Sequence, residues 1–403
     1  MEALDFALIG EHIDVPAAAL RLMSKPEKEI RFSLNLLLDA PGFIEADAYV
    51  VYHNTSRGPA KGGLRMWPGV TLDHTRALAE LMTWKTALVG IPFGGGKSSI
   101  SLDASGLSQP KKTAIIKEYV HVIRGELLSG TYIPAPDLGT SSADMAAIYG
   151  ETHMLECVTG KPPRVGGLPG RKEATGYGVA HTVGLCCEHL LKCAPDRISV
   201  AVQGFGNVGE WTCRFLHEMG AKVVAVSDIT GGVYREGGLD PDDLCRHLSK
   251  GGRMAEYEGE AVTNEELLRL GVDVLVPAAV ENVIDERTAR SISARLVVEA
   301  ANGPTTPEGE TILRQRGVGL MPDILANSGG VIASYMEWRQ ARSGAIGRAE
   351  ETRNTIAERL DAAFHGVIAT ASERQVTYRM AAQIAAVGEL IATMRDRGWI
   401  PPQ

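Results

Sequence analysis

Short apolar runs alternate with longer amphipathic stretches along most of the chain, and this alternation predicts an α/β fold. Apolar and β-branched runs predict strands at residues 46–53, 98–102, 131–136, 198–203, 222–227, 272–276 and 296–298. Apolar positions at helical spacing predict helices at residues 71–89, 110–129, 175–191, 347–370 and 377–397, with a further helix from about residue 142. In the second half of the chain, strands and helical stretches follow one another in turn, which favours a doubly wound parallel sheet.

One stretch, residues 198–228, has the order strand, glycine turn, helix, strand and acid that a dinucleotide site requires. Gly204, Gly206 and Gly209 form its G-x-G-x-x-G pattern. The first glycine permits a tight turn, the second lets the backbone approach a pyrophosphate, and the third lets helix and strand pack closely. An ordinary strand-to-helix turn is the alternative, but the flanking elements favour the binding site.

The helix after this turn belongs to the predicted coenzyme site. Its first residues, Asn207 and Val208, direct N–H groups and the positive end of the helix dipole toward phosphates. Asp228, at the end of the next strand, is placed to accept hydrogen bonds from the adenosine ribose. A carboxylate there favours NAD because it repels the 2′-phosphate of NADP, although NADP remains an alternative.

The length of 403 residues exceeds that of one typical domain, and a stretch rich in proline and glycine at residues 160–170 marks a boundary. We predict a substrate-binding and oligomerisation domain at residues 1–170, completed by C-terminal helices at 331–403. A Rossmann-type dinucleotide-binding domain is predicted at residues 171–330. The chain is therefore expected to consist of two α/β domains.

The composition narrows the class of protein. A net charge of −8 argues against a nucleic-acid partner, and no apolar run is long enough to predict a membrane span. The six cysteines form no C-x-x-C pair and the N-terminus lacks a signal-peptide pattern, which favours reduced thiols and a cytoplasmic location. Because no histidine has metal-ligand spacing, no metal is predicted.

Three lysines occupy positions where an anionic partner is expected. Lys85 falls on the apolar stripe of the helix that Thr71 can cap. Lys61 borders Gly62-Gly63 and Lys97 follows three glycines, so both are predicted to lie in glycine loops beside a cleft. Each is either a solvated surface lysine or a site residue. If they crowd together, they lower one another's pKa, which is how a lysine becomes a neutral base near pH 7.

Four polar residues are further candidates for a site, and each has a structural alternative. Asp137, in Pro-Ala-Pro-Asp-Leu-Gly, is either an acid/base group on a rigid segment or the N-cap of the next helix. Asn302 follows a predicted strand and either binds a ribose or forms a turn before Gly-Pro. Asn327 lies in the loop before a helix and either caps that helix or faces a ligand. Ser334 lies one turn inside the same helix and either packs against its neighbours or faces a ligand.

With these segments, the chain resembles the glutamate/leucine/phenylalanine/valine dehydrogenase family over nearly its whole length, and the glutamate branch most closely. The shared motifs occur in order and are KGGLRMW, TWKTALVGIPFGGGK, IPAPDLGT, EATGYGV, VQGFGNVG, ANGPTTPEG, PDILANSGGV and YRMAA. The family's reaction is reversible oxidative deamination of an L-amino acid to a 2-oxo acid and ammonia, with hydride passing to a nicotinamide coenzyme. The resemblance implies an NAD(P)-dependent oxidoreductase.

The resemblance also implies roles for single residues. Lys97 would be the catalytic lysine of lowered pKa that activates water, and Asp137 would shuttle protons to and from the substrate nitrogen. Lys85 would bind the α-carboxylate of the substrate. The residues around the nicotinamide end of the coenzyme would be Thr175, Asn302 and Asn327.

At the side-chain end of the pocket, Lys61 matches the position where glutamate enzymes hold the γ-carboxylate, and Ser334 matches the hydroxyl that assists it. The resemblance therefore implies L-glutamate, 2-oxoglutarate and ammonium as substrates and products. An apolar substrate would leave Lys61 buried and unpaired, at a cost on the order of several kcal/mol. By resemblance we expect a homohexamer, or a hetero-oligomer with a paralogous subunit.

Some segments depart from the glutamate branch. Ser98-Ser99 stand where glutamate enzymes usually have two glycines, and Tyr177 stands where an arginine is frequent. Residues 139–152 and 65–67 are more similar to the leucine/phenylalanine branch. Two alternatives follow: a branched-chain or aromatic amino-acid dehydrogenase of the same family, and a non-catalytic regulatory subunit that binds an amino acid.

Overall fold

The protein, a computed structural model that describes residues 4–38 and 42–402, contains two compact units with one sheet each. The Rossmann-type unit consists of Lys172–Gly330 and Arg353–Ala382. The amino-terminal unit consists of the described residues before Lys172, of Val331–Thr352 and of the described residues after Ala382. The predicted two-domain α/β fold is confirmed. No helix in the described ranges is both long and apolar enough to cross a membrane.

The amino-terminal unit is built on a mixed sheet. Its strands are β1 Lys28–Leu37, β2 Phe43–Asn54, β3 Ala60–Met66, β4 Gly94–Ile100 and β5 Tyr132–Pro136. Its helices up to residue 152 are α1 Phe6–Gly10, α2 Ala17–Met23, α3 Leu72–Leu88, α4 Gln109–Val122, α5 Arg124–Leu128 and α6 Ser142–Thr152. The order in the sheet is β1-β2-β4-β3-β5, with β3 parallel to both of its neighbours and the other pairs antiparallel.

The two faces of this sheet differ in chemistry. One face packs an apolar core against α4 and α6, including Leu64, Ile100 and Tyr132. Helix α3 lies on the other face against β2 and β4. As predicted, Thr71 caps α3 and accepts a hydrogen bond from the backbone N–H of His74 at 3.2 Å. The polar face beneath α3 is therefore the one available for chemistry.

Two segments predicted as glycine loops are strands, and those predictions were wrong. Lys61 lies in β3 and Lys97 lies in β4. The glycines serve close packing between the strands: a Cβ added at Gly62 would lie 1.7 Å from the carbonyl oxygen of Gly96. Glycine at such a position reflects the close approach of two backbones rather than a turn.

The Rossmann-type unit carries the second sheet. Its strands are β6 Ser199–Gln203, β7 Lys222–Asp228, β8 Gly231–Tyr234, β9 Glu260–Val262, β10 Val274–Pro277, β11 Leu296–Val298 and β12 Gly319–Met321. Its helices up to residue 326 are α7 Ala174–Cys186, α8 Asn207–Glu218, α9 Pro241–Ser249, α10 Asn264–Leu268, α11 Glu286–Ser291, α12 Pro307–Gln315 and α13 Asp323–Ala326. The order is β12-β11-β10-β6-β7-β8-β9, and β12 through β7 are parallel. The chain leaves β6 for β7 on one side and returns to β10 on the other, which is the topological switch point of a doubly wound sheet.

The last three helices are α14 Gly329–Ser343, α15 Ala349–Arg374 and α16 Tyr378–Asp396. Residues 331–403 are predicted to complete the substrate domain, whereas in the structure Arg353–Ala382 belongs to the Rossmann-type unit. The reason is a set of polar contacts: His181 Nε2 lies 2.6 Å from Asp361 Oδ1, and Arg379 pairs with Glu299 at 2.7 Å. Helical periodicity cannot reveal such partners.

Two predicted helices are shorter than expected. The helix predicted at 110–129 breaks at Ile123 into α4 and α5. The helix predicted at 175–191 ends at Cys186, and a π-helical turn, Cys187–Leu191, follows it.

Candidate active site

Charged side chains gather on the face of the amino-terminal sheet that α3 covers. Lys61 and Arg65 lie on β3, and Lys97 lies on β4. The parallel register pairs Arg65 with Ser99, and side chains alternate along strands, so the three cations share one face. Asp137 follows directly after β5 at the same face. These four side chains therefore lie on the same side of the sheet, although they are distant in the sequence.

Asp137 joins two of these cations. Its Oδ2 accepts a hydrogen bond from Lys97 Nζ, and its Oδ1 accepts one from Arg65 Nε at 2.8 Å. A Cβ added at Gly63 would lie 2.6 Å from Asp137 Oδ2, so only glycine lets the carboxylate lie over β3. Asp137 is not the N-cap of the next helix, because Ser141 caps α6 instead.

The protonation of this pair is set by burial and by charge together. Burial lowers the pKa of Lys97, Asp137 opposes that effect, and the charge of Arg65 adds to the lowering. Burial alone would raise the pKa of Asp137, but Lys97 and Arg65 outweigh it and hold that pKa well below its usual range. The lowered lysine pKa predicted from sequence is present, but its main cause is burial rather than the crowding of lysines.

Lys61 lies in a second positive cluster and is 1% exposed. Burial and the nearby charge of Arg171 hold the pKa of Lys61 well below its ordinary value, and Glu337 opposes the shift. Lys161 Nζ lies 2.8 Å from Glu337 Oε1, with both side chains fully buried. Arg171 Nε is buried without a hydrogen-bond acceptor among the residues that the structure describes. Three cations thus share one carboxylate. The cluster therefore has an excess of positive charge that a bound anion can neutralise.

Lys85 and Ser334 belong to the same unit as these clusters. Lys85 lies in the last turn of α3 and is 6% exposed, so its ammonium group is held inside rather than extended into water. Ser334 is buried on α14, three residues before Glu337 and hence on the same side of the helix. Tyr335 and Trp338 of α14 contact the ring of Phe93, which directly precedes β4.

The serines after Lys97 are part of the core. Ser98 Oγ accepts hydrogen bonds from the hydroxyl groups of Tyr119 at 2.9 Å and Tyr132 at 2.8 Å. Ser99 Oγ accepts one from Thr75 Oγ1 at 2.9 Å. The two serines point to opposite faces of β4, and each finds a polar partner there. They therefore fit the strand that carries Lys97.

The glycine turn has the geometry expected of a dinucleotide site. Gly204 has a φ of +99°, and a Cβ added at Gly209 would lie 1.8 Å from the carbonyl oxygen of Gly204. A Cβ at Gly206 would meet nothing within 4 Å, so open space lies beside the backbone there. Gly204 thus has the turn conformation and Gly209 the close packing that were predicted, while the approach of a pyrophosphate at Gly206 stays a prediction.

The neighbouring residues of the turn are also exposed or half-buried. Asn207 and Val208 open α8, and Asn207 Nδ2 donates to the carbonyl oxygen of Lys172 at 3.1 Å. Asp228 ends β7 beside β6, so its carboxylate lies at the same edge of the sheet as the turn. Its Oδ1 accepts hydrogen bonds from the backbone N–H and the hydroxyl of Thr230, both at 2.6 Å.

Two predicted asparagines are in direct contact. Asn327 Nδ2 donates to Asn302 Oδ1 at 3.1 Å. The same amide nitrogen donates to the carbonyl oxygens of Ala300 at 3.1 Å and Ala301 at 3.2 Å. Asn327 thus joins the segment after β11 to the end of α13.

Thr175 lies in the first turn of α7, close to the same region. A Cβ added at Gly329 would lie 2.1 Å from the carbonyl oxygen of Ala174, so the start of α7 packs on the segment that follows Asn327. The structure therefore brings Thr175, Asn302 and Asn327 to one part of the Rossmann-type unit.

Sequence reasoning gave no role to Arg65, Lys161, Arg171 or Glu337. A strand assignment for residues 60–66 would have placed Arg65 on the face of Lys61, because the two positions are four apart. Lys161 and Glu337 are 176 residues apart, and no local pattern connects them. Within the described ranges, no group of three or more His, Cys, Asp or Glu side chains is arranged to hold a metal ion.

Two family models match the chain. The model described as Glutamate/Leucine/Phenylalanine/Valine dehydrogenase matches residues 166–398. The model described as Glu/Leu/Phe/Val dehydrogenase, dimerisation domain, matches residues 26–154. The first match contains the glycine turn, and the second contains the lysine-bearing strands.

Individual proteins are similar over nearly the full length. A glutamate dehydrogenase of Thermotoga maritima is 41% identical, with 96% of this chain and 95% of that protein covered. An NADP-specific glutamate dehydrogenase of Saccharolobus shibatae is 38% identical, with 97% and 94% covered. A hetero-hexameric glutamate dehydrogenase of Thermus thermophilus, solved in a Leu-bound form, has a similar structure with a TM-score of 0.91, 32% identity and 98% and 95% covered.

Proposed function

The chain belongs to the Glutamate/Leucine/Phenylalanine/Valine dehydrogenase family, and we propose that it catalyses the reversible oxidative deamination of L-glutamate to 2-oxoglutarate and ammonia. The observation that carries the choice of glutamate is the cluster around Lys61. This lysine is 1% exposed and shares the single carboxylate of Glu337 with Lys161 and Arg171. A substrate γ-carboxylate supplies the missing negative charge, whereas an apolar side chain would leave the cluster unbalanced.

The remaining groups of the amino-terminal unit supply substrate orientation and proton transfer. Lys85, held inside by α3, binds the α-carboxylate. Lys97 has a lowered pKa and so removes a proton from the water that attacks the imine carbon. Asp137, whose carboxylate contacts Lys97 Nζ directly, exchanges protons with the substrate nitrogen. Ser334 assists Lys61 at the γ-carboxylate.

The Rossmann-type unit holds the coenzyme in this proposal. Gly204, Gly206 and Gly209 with the N–H groups of Asn207 and Val208 surround the pyrophosphate. Asp228 accepts hydrogen bonds from the adenosine ribose, which favours NAD, and NADP is the alternative coenzyme. The nicotinamide end lies against Thr175, Asn302 and Asn327. The bound coenzyme supplies a hydride acceptor for the amino acid.

The assembly is proposed as a homohexamer. The dimerisation-domain model over residues 26–154 and the hetero-hexameric relative of Thermus thermophilus support an oligomer, and association with a paralogous subunit is the alternative. A cytoplasmic location is part of the proposal, since all six cysteines are free thiols.

The deciding experiment compares initial rates of the purified protein with L-glutamate, L-leucine and L-phenylalanine, each with NAD and with NADP. We expect a clear preference for glutamate that Lys61→Leu removes, with kcat/KM for glutamate falling about 1,000-fold or more. Preference for leucine or phenylalanine would contradict the proposed substrate and would indicate a dehydrogenase of the branch that acts on apolar amino acids. No turnover with any of them would favour a non-catalytic subunit that binds an amino acid.

A further inference from the structure

Arg379, in the first turn of α16, contacts three carboxylates of the Rossmann-type unit. Its Nη2 donates to Glu299 Oε1 at 2.7 Å and its Nε donates to Glu310 Oε2. Its Nη1 lies 3.5 Å from Asp323 Oδ1. Each nitrogen of the guanidinium group thus faces a different carboxylate.

Two of these carboxylates hold the segments that carry Asn302 and Asn327. Glu299 Oε2 accepts the backbone N–H of Asp323 at 2.9 Å, and Asp323 Oδ2 accepts the backbone N–H of Gly303 at 2.9 Å. The contact between Asn327 Nδ2 and Asn302 Oδ1 joins the last residue of the second segment to the first segment. Both ends of segment 323–327, at Asp323 and Asn327, are therefore joined to segment 299–303.

The two carboxylates that connect these segments, Glu299 and Asp323, require a cation beside them. Glu299 is fully buried and Asp323 is 2% exposed, so their charges are shielded from water. Burial raises the pKa of Glu299 to about 7, Arg379 opposes the rise, and Asp323 adds to it. The charged groups that face Glu299 are Asp323 on α13 and Arg379 on α16, while Glu310 on α12 faces the arginine from its outer side. Without Arg379, Glu299 would either take up a proton or, when ionised, repel Asp323 where the two segments meet.

We propose that Arg379 is a positioning residue for coenzyme binding, which holds residues 299–303 and 323–327 so that Asn302 and Asn327 meet the nicotinamide end together. The inference rests on the coenzyme site of the proposed function. An arginine is required because the three nitrogens of its planar guanidinium group can each face a different carboxylate, whereas a lysine has a single ammonium nitrogen.

The test is titration of the purified full-length protein with NADH, followed by NADH fluorescence, so that no amino-acid substrate is needed. Arg379→Lys is expected to raise the Kd for NADH about tenfold or more. The KM for the coenzyme rises with it, while the KM for L-glutamate stays within about twofold, because the substrate groups lie in the amino-terminal unit.

Arg316→Lys is the matched control in the same unit. Arg316 Nη1 donates to the carbonyl oxygens of Ala289 and Ile292, both at 2.6 Å, before β11 and β12 begin. This variant is expected to lower the thermal midpoint and leave the Kd for NADH unchanged. A Kd in Arg379→Lys equal to that of the wild type, or an equal rise in Arg316→Lys, would overturn the proposal.

Glu310→Gln covers the case in which Arg379→Lys does not fold. Glu310 contacts Arg379 but neither segment, and its side chain is partly exposed, so the variant acts through the arginine alone. We expect a rise in the Kd for NADH of about threefold, and an unchanged Kd would refute the positioning role. Wild-type protein that binds NADH without turning over glutamate would contradict only the proposed substrate, and protein that binds neither NADH nor NADPH would overturn both proposals.

Discussion

Lys97 donates a hydrogen bond to the carboxylate of Asp137 across the backbone of a third strand. Lys97 lies on β4, Asp137 follows β5, and β3 separates those two strands in the sheet. At the crossing, β3 carries Gly63, where an added Cβ would lie 2.6 Å from Asp137 Oδ2. The contact between Asp137 and Lys97 therefore depends on the absence of a side chain at residue 63.

Gly63→Ala is expected to lower kcat about 100-fold, because a methyl group at residue 63 displaces the Asp137 carboxylate from Lys97. The thermal midpoint should also fall, since the methyl group would lie 2.7 Å from Asp137 Cβ, which no side-chain rotation moves away. Steady-state rates with L-glutamate measure the effect. Gly106→Ala is the control, because a Cβ there would meet nothing within 4 Å. Full activity in both variants would contradict the geometry.

The affinity for a dicarboxylate should fall as pH rises. Burial holds the pKa of Lys61 well below its ordinary value in the free protein, and a bound γ-carboxylate raises that pKa again. Binding therefore takes up a proton at pH values between the free and the bound pKa, and it weakens through that range. Calorimetry with 2-oxoglutarate in buffers of different ionisation enthalpy measures the uptake. Lys61→Met should abolish it, and wild-type binding without proton uptake at any pH would disprove the linkage.

Ser98→Ala should destabilise the amino-terminal unit. The hydroxyl groups of Tyr119 and Tyr132 are buried and both donate to Ser98 Oγ, so the variant leaves two donors without an acceptor. The expected loss in the free energy of unfolding is about 2–5 kcal/mol by urea denaturation. Replacing both tyrosines by phenylalanine in the same variant should restore part of it. A loss below about 0.5 kcal/mol would show that the phenols find other partners.

Glu299 should make stability depend on pH in the direction opposite to that of a typical surface acid. Its pKa is raised from 4.5 to about 7 in the folded protein, chiefly by burial. The stabilisation is thus fully present below about pH 4.5 and is lost as pH rises through about 7, up to about 3 kcal/mol in all. Thermal unfolding of the wild type and of Glu299→Gln across that range measures the difference. Parallel curves for the two proteins would count against a protonated Glu299.

The fold could be predicted where its determinants are local. Residues 198–228 contain the strand, the turn glycines, the helix and the acid within one short stretch, and the structure confirms that unit. The strand around Lys61 and the start of the strand around Lys97 could not be recognised, because glycine is typical of loops and its role here is the close approach of two backbones. Close approach between strands is a tertiary property that a linear pattern does not contain.

The candidate site, like the fold, could be predicted only where its determinants are local in the sequence. Lys97 and Asp137 were recognisable as unusual residues from their immediate neighbours, but their contact required the strand order of the sheet. Lys161 and Glu337 are 176 residues apart, and each resembles an ordinary surface charge in its own helix or loop. A buried ion pair between such distant positions becomes visible only when the chain is folded.

Arg379 also has a consequence for the order in which the chain is made. It is synthesised 80 residues after Glu299, its buried partner, so on the ribosome the Rossmann-type unit is incomplete until a segment beyond its own strands has emerged. Domains that consist of one continuous segment fold as they emerge, but this one cannot be completed in that way. A polypeptide that ends before residue 379 would have to bury Glu299 and Asp323 without the cation that faces both. Completion of the Rossmann-type unit thereby depends on a segment that is synthesised after part of the amino-terminal unit.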